Sequence, residues 1–251
     1  MDLRLRIRSR RNRPSPEAMT LAEHLAELRT RVIVCIVAFG IASVVAWVAY
    51  PQILSFLKAP YCHVTGPKHC DLYITAPLDG LTLRVKNAAY GGLFLASPVI
   101  LWEMWRFITP GLHRNEKRYA IPFVCASILL FAGGAILAYY AFAHALQFLG
   151  SVGGPSLHEI YDPINYLSLM VALMTVFGLT FEFPVVLVSL ELAGVVTPSK
   201  LSSWRRWTIV LIVLFAAVVT PSGDPFSMLV LAVPLYIFYE ISIVLGRLLR
   251  R

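Results

Sequence analysis

Charge is what this sequence has least of. Asp, Glu, Lys and Arg together make up 14% of its 251 residues, against about 25% in soluble domains. A chain that is also 58% hydrophobic, with a mean hydropathy of +0.70, has too few polar side chains to clothe a water-facing surface, which excludes an ordinary soluble domain. Internal repeats, low-complexity tracts and long linkers are missing too. The chain therefore reads as one integral membrane domain, residues 20–251, behind a short basic tail, residues 1–19. No G-x-x-x-x-G-K-[ST] loop is there to cradle a nucleoside triphosphate, which removes ATP hydrolysis. Neither H-E-x-x-H nor G-x-S-x-G occurs, and no Ser–Lys or paired-Asp arrangement stands out in the apolar runs. Neither an enzyme nor a cofactor is expected. The net charge of +8 would suggest nucleic acid in a soluble protein. Here it marks a membrane face, and no nucleic-acid partner is expected.

What the chain does have is apolar runs, each long enough or nearly so for the roughly 20 residues that cross the hydrocarbon. Six are expected as helical spans: Val32–Tyr50, Ala88–Trp102, Tyr119–Leu149, Ile164–Leu190, Trp207–Val219 and Phe226–Leu245. Only "TPSGDP" separates the last two, so they form an antiparallel hairpin, and both read as short for a full bilayer. Lys and Arg orient the bundle. Residues 1–31, 106–118, 200–206 and 247–251 carry 18 of the 22 basic residues, and only Lys58, Lys68, Arg84 and Lys86 fall on the other side. The positive-inside rule then places both termini in the cytoplasm. No cleavable signal peptide is expected, because no apolar h-region follows the "RLRIRSRRNR" tail. Met19 is an alternative start, and the tail itself reads as a juxtamembrane segment attracted to anionic lipid.

Asp162-Pro163, Thr197-Pro198 and Asp224-Pro225 each put a capping side chain before a proline at the first helical position. Pro98, Pro122, Pro184 and Pro234 lie inside or near the ends of spans and favour kinks there. A bundle of bent helices with a curved, cupped shape follows. Cys35 and Cys125 read as small packing residues within spans. Cys62 and Cys70 flank the outer loop "CHVTGPKHC", in a compartment where disulfides persist. A bridge between them is the first reading. Free thiols, or a zinc site with His63 and His69, are the alternatives, although the spacing is not that of a usual zinc finger. No metal is expected.

Carboxylates carry most of the functional signal. "TLAEHLAELRTR" is an amphipathic helix with Leu21, Leu25, Leu28 and Val32 on one face and Glu23, Glu27 and Arg31 on the other. Spacing alone makes Glu27–Arg31 a local pair worth a few tenths of a kcal/mol. Glu116 sits among Arg114, Lys117 and Arg118, where a local ion pair is again the default. Glu182 is different. It stands alone within "FGLTFEFPVVL", and an ionised carboxylate in hydrocarbon costs at least ~2.5 kcal/mol. It must be neutralised, hydrated or bound.

Four blocks, "HLAELRTR", "SPVILWEMWRFITPGLHRNEKR", "FGLTFEFPVVL" and "TPSGDPFSM…PLYIFYE", closely resemble the TatC family, the polytopic receptor subunit of the twin-arginine protein translocase. The resemblance runs from Thr20 to Leu249 with the blocks in family order. It implies an all-α membrane protein with six transmembrane helices in a glove-like cupped bundle, a short N-terminal amphipathic helix, and residence in the bacterial plasma membrane. It implies binding of Arg-Arg signal peptides on folded cargo, recruitment of TatA- and TatB-type single-span proteins and other TatC copies, and translocation driven by the proton motive force. Signal binding falls to Glu27 and Glu116, with Arg29, Phe107, Pro110, Leu112 and Arg118 shaping the same surface. Partner helices fall to Glu182, with Thr220 and Met228. Glu182 is then expected to face the cupped side, partly hydrated or protonated. Asp224 matches an outer-loop aspartate for which capping is an adequate structural role. Two departures stand out: Met228 occupies a position that is often glutamine, and so does Glu103. Apart from the resemblance, a proton-coupled secondary transporter using Glu182 is the alternative, though such proteins usually show repeats and more spans.

Overall fold

The computed structural model describes residues 21–65, 72–74, 76–108, 120–153, 162–192, 194–220 and 224–249. Among the described residues every regular element is an α-helix: α1 Leu21–Val48, α2 Tyr50–Thr65, α3 Asp79–Ile108, α4 Ala120–Gly153, α5 Pro163–Thr180, α6 Phe183–Leu192, α7 Pro198–Ser203, α8 Arg205–Val219 and α9 Pro225–Leu249. Four stretches, His24–Val48, Ile121–Val152, Pro163–Leu192 and Pro225–Leu248, are long and apolar enough to cross a membrane. This is an all-α, multi-pass membrane protein. The expected second span lies in α3, where charged and small residues dilute the apolar run. The expected fifth is α8, whose 15 residues reach about 22 Å, short of the ~30 Å hydrocarbon core. The sixth is longer than the sequence suggested: α9 has 25 residues and is not a short helix.

Two further elements differ from the sequence reading. The amphipathic segment before the first span is not a separate helix but the opening turns of α1, one run of 28 residues. No glycine or proline interrupts residues 21–39, so nothing breaks the backbone ladder between the two. Helix α2 occupies a stretch for which the sequence suggested no element. Its Pro60 lacks an N–H, which leaves the Phe56 carbonyl without its usual helical donor. The Tyr139 hydroxyl donates to that carbonyl at 2.9 Å, and the Phe56 and Tyr139 rings stack at 4.5 Å. A tertiary bond replaces the lost local one and holds α2 on α4.

Exposed apolar side chains follow the helices' outer faces. On α8 only Ile212 and Ala216 are buried, while Trp207, Val210, Leu214 and Val218 stand open, the last 76% exposed. In water such a face would drive aggregation; in a bilayer it meets lipid tails. The main core lies where α4, α5 and α9 meet, around Phe142, Met170, Phe177 and Leu231. Small residues let the backbones approach, as membrane helix interfaces require. A Cβ at Gly134 of α4 would stand 2.6 Å from the Phe177 carbonyl oxygen, and one at Gly178 of α5 would stand 2.8 Å from the Phe131 ring. Across α1 and α3, a Cβ at Gly92 would stand 2.8 Å from the Ser43 backbone nitrogen.

Asp162 accepts from the Asn165 N–H at 3.1 Å, Thr197 from Lys200 at 3.4 Å, and Asp224 from Ser227 at 2.6 Å. Of the four prolines expected to bend spans, Pro184 coincides with a break. It cannot donate to Thr180, so α5 ends there, and α6 begins at Phe183. In the gap, Glu182 N–H turns back to the Leu179 carbonyl at 3.1 Å. Helices α3 and α9 run through Pro98 and Pro234 without interruption. Pro122 sits in the first turn of α4, where its missing N–H has no intrahelical partner to lose.

Candidate functional site

The antiparallel packing of α1 on α3 brings the start of one helix beside the end of the other. Glu27 and Arg31, one turn apart on α1, share a face, and Glu103 of α3 meets them from across the interface. The Arg31 guanidinium donates through Nη1 to Glu103 Oε2 at 2.8 Å and through Nη2 to Glu27 Oε1 at 3.0 Å. The three side chains are only 18%, 19% and 10% exposed for Arg31, Glu27 and Glu103. Partial burial shields this bridge from solvent screening but adds a desolvation cost that opposes the gain. A turn nearer the chain start, the His24 ring stacks on Phe107 at 4.4 Å. Glu27 and Phe107 thus share one surface, and Arg29 projects exposed from the same stretch of α1. Pro110, Leu112, Glu116 and Arg118, expected on this surface, lie outside the described residues.

Deeper in the bundle, the break caused by Pro184 sets Glu182 among apolar neighbours with 6% of its surface exposed. Neither carboxyl oxygen has a hydrogen-bond partner among the described residues. The Ser127 hydroxyl lies near this carboxyl. Ser127 is itself held from the other side, accepting from the Trp105 indole N–H at 2.6 Å. A buried polar group without a partner costs on the order of 1–3 kcal/mol. Beside it runs an apolar groove of about 480 Å³, whose lining includes Phe123, Ala126, Pro184, Val188 and Phe238.

Thr220 follows the end of α8 and Met228 lies in the first turn of α9. The Thr220 hydroxyl donates to Ala216 of its own helix at 2.8 Å, and Met228 packs against the main core. They do not join Glu182 in one cluster. Phe181 at the break meets Phe238 of α9 at 5.0 Å, and Met228 lies about 15 Å from Phe238 along that helix at 1.5 Å per residue. Cys62 is half-buried in α2, while Cys70 lies outside the described residues. Cys125 is exposed on α4 rather than packed, because it points to the outer face. Among the described residues no group of three His, Cys, Asp or Glu side chains is placed to hold a metal.

Three polar features of the fold were not legible in the sequence. The pairing of Arg31 with Glu103 joins residues far apart in the chain, and no local pattern predicts it. Ser127 is one of many serines until the fold sets it beside Glu182. Glu191, fully buried in α6, lies at the end of an apolar run. Its carboxylate packs so tightly against Gly246 of α9 that a Cβ there would collide with it.

Residues 23–234 match the profile of the Sec-independent protein translocase protein, TatC. The chain belongs to the TatC family. A TatC of Aquifex aeolicus is 39% identical over 236 residues, which cover 93% of this chain and 97% of that protein. A TatC of Frankia casuarinae is 44% identical over 91% of this chain, and the match spans only 65% of that longer protein. A crystal structure described as the twin-arginine translocase receptor TatC, 40% identical, superposes with a TM-score of 0.74 and covers 91% of this chain and all of that one. A second, in the detergent DDM, gives 0.75 at 39% identity, over 89% of this chain and 99% of that one. The TatC match encloses both carboxylate sites and leaves the basic tail outside. The family is a component of a protein translocase and not a family of enzymes.

Proposed function

We propose that the chain is the receptor core of a twin-arginine translocase, binding the Arg-Arg pair of export signals on the surface shared by α1 and α3. The observation that carries this reading is Glu27: a carboxylate held on a partly buried surface, with Oε2 lacking a hydrogen-bond partner among the described residues. An arginine side chain matches such an acceptor with a planar fork of donors. Glu116, in the following basic loop, supplies the second carboxylate, and Arg29, Phe107, Pro110, Leu112 and Arg118 shape the rim. The concentration of basic residues on alternate connections supports cytoplasmic placement of both termini and of this surface. Helices α3 and α8 complete six spans. Glu182 meets a polar side chain on a TatA- or TatB-type helix, with Thr220 and Met228 forming a second contact nearer the start of α9. Asp224 keeps a capping role. The test is titration of a labelled twin-arginine signal peptide into the purified chain in lipid nanodiscs. Saturable binding supports the reading, and its absence from folded protein contradicts it.

Cys62 and Cys70 are proposed to close a short loop on the outer face. Mass spectrometry of the membrane-inserted protein without reductant is expected to find this loop two hydrogens lighter. Removing the bridge should cost ~2–3 kcal/mol at most for so short a loop. Alkylation of both thiols without reductant would show that no bridge exists.

A further inference from the structure

Glu103 is not needed to describe a two-carboxylate signal site, yet it makes the shorter of the two contacts to Arg31, 2.8 Å against 3.0 Å for Glu27. A single guanidinium between two carboxylates leaves a local charge of about −1. Each carboxylate receives one N–H, although an arginine fork facing one carboxylate would ordinarily fill both of its oxygens. The consequence is visible in the unfilled groups: Glu27 Oε2 and Arg31 Nε are both buried and without partners among the described residues. Arg31 is thus turned partly away from Glu27, and what holds it turned is Glu103.

We infer that Glu103 is a positioning residue for signal recognition: by drawing Arg31 across the α1–α3 interface it leaves one buried oxygen of Glu27 unpaired, the acceptor that the arginine of a signal peptide then fills. The inference rests on the proposed role of Glu27. Without Glu103, the Arg31 fork swings fully onto Glu27, which lies one helical turn away on the same face. The local charge falls to zero and the signal arginine has to displace an internal one. Arg31 acts as a built-in competitor, and Glu103 restrains it.

Three variants, titrated with the same twin-arginine peptide in nanodiscs, test this. Glu103→Gln preserves shape and leaves Arg31 paired with Glu27, so no buried charge is orphaned. It is expected to weaken peptide binding at least about fivefold, half the tenfold that 1.4 kcal/mol represents. The double variant Glu103→Gln with Arg31→Gln removes the competitor as well and is expected to recover affinity to within about twofold of wild type. That recovery, read beside the thermal midpoint of each variant, separates positioning from a merely structural tie. If the ion pair only fastened α1 to α3, the midpoint would fall and recover together with the affinity, whereas positioning moves the affinity at an unchanged midpoint. Wild-type affinity in Glu103→Gln, or no recovery in the double variant, overturns the inference. Glu27→Ala, run alongside, keeps the two readings apart. If it weakens binding while Glu103→Gln does not, the signal site stands and the positioning role falls. If Glu27→Ala itself binds normally, the underlying reading fails first and the inference falls with it.

Discussion

Glu27→Ala is expected to lower the affinity for a twin-arginine peptide roughly 10- to 150-fold. That range is the ~1.5–3 kcal/mol of one hydrogen bond to a charged group, converted at tenfold per 1.4 kcal/mol. Stability should change little. Arg31 keeps its 2.8 Å bond to Glu103, so truncating Glu27 leaves no guanidinium uncompensated, and α1 keeps its glycine-mediated contact with α3. Titration in nanodiscs at fixed ionic strength measures the affinity, and the thermal midpoint of the same preparation reports the fold. Unchanged affinity would remove Glu27 from the signal site. A large fall in both quantities would mean that Glu27 holds α1 in place and does not contact the peptide.

The second large effect is expected at Glu182. Among the described residues its two oxygens lack hydrogen-bond partners, and an apolar groove lined by Pro184 and Val185 runs close to it. Interhelical hydrogen bonds in membranes contribute only ~0.6–2 kcal/mol, which makes such a contact reversible. Glu182→Gln keeps shape and hydrogen bonding, and should retain most crosslinking to a TatA- or TatB-type helix. Glu182→Ala should lose most of it, by about 3- to 30-fold, with peptide binding on the α1–α3 surface nearly intact. Paired crosslinking of both ligands in the two variants decides. Loss of the peptide with retention of the partner helix would place Glu182 in the signal site or in the structural core.

Four long apolar helices, the caps and the isolated glutamate were legible because each depends on residues close together in the chain. Asp162-Pro163 announces a helix start locally, and Pro184 two residues beyond Glu182 announces the break that buries it. Residues alone lead to a polytopic protein with a functional intramembrane carboxylate. The signal site came only through the resemblance to TatC. What stayed hidden depends on distant partners. Helix α2 was obscured by Pro60, whose cost is offset by a tyrosine on α4. Glu103 looked like a departure from a family glutamine until the fold set it against Arg31. The separation of Glu182 from Thr220 and Met228 follows from a tertiary contact, Phe181 on Phe238, which sets the break far along α9 from Met228.

The central claim is that this chain reads an arginine pair by geometry as well as by charge. Lysine carries the same charge on a compact ammonium and cannot form the planar two-point contact. The most direct measurement compares twin-arginine and twin-lysine versions of one signal peptide, titrated into the purified chain in nanodiscs at physiological salt. The account predicts at least tenfold weaker binding of the lysine peptide, with the gap shrinking in Glu27→Ala. Equal affinity for the two peptides, each saturable and each lost at high salt, would reduce the surface to a diffuse electrostatic site and contradict it.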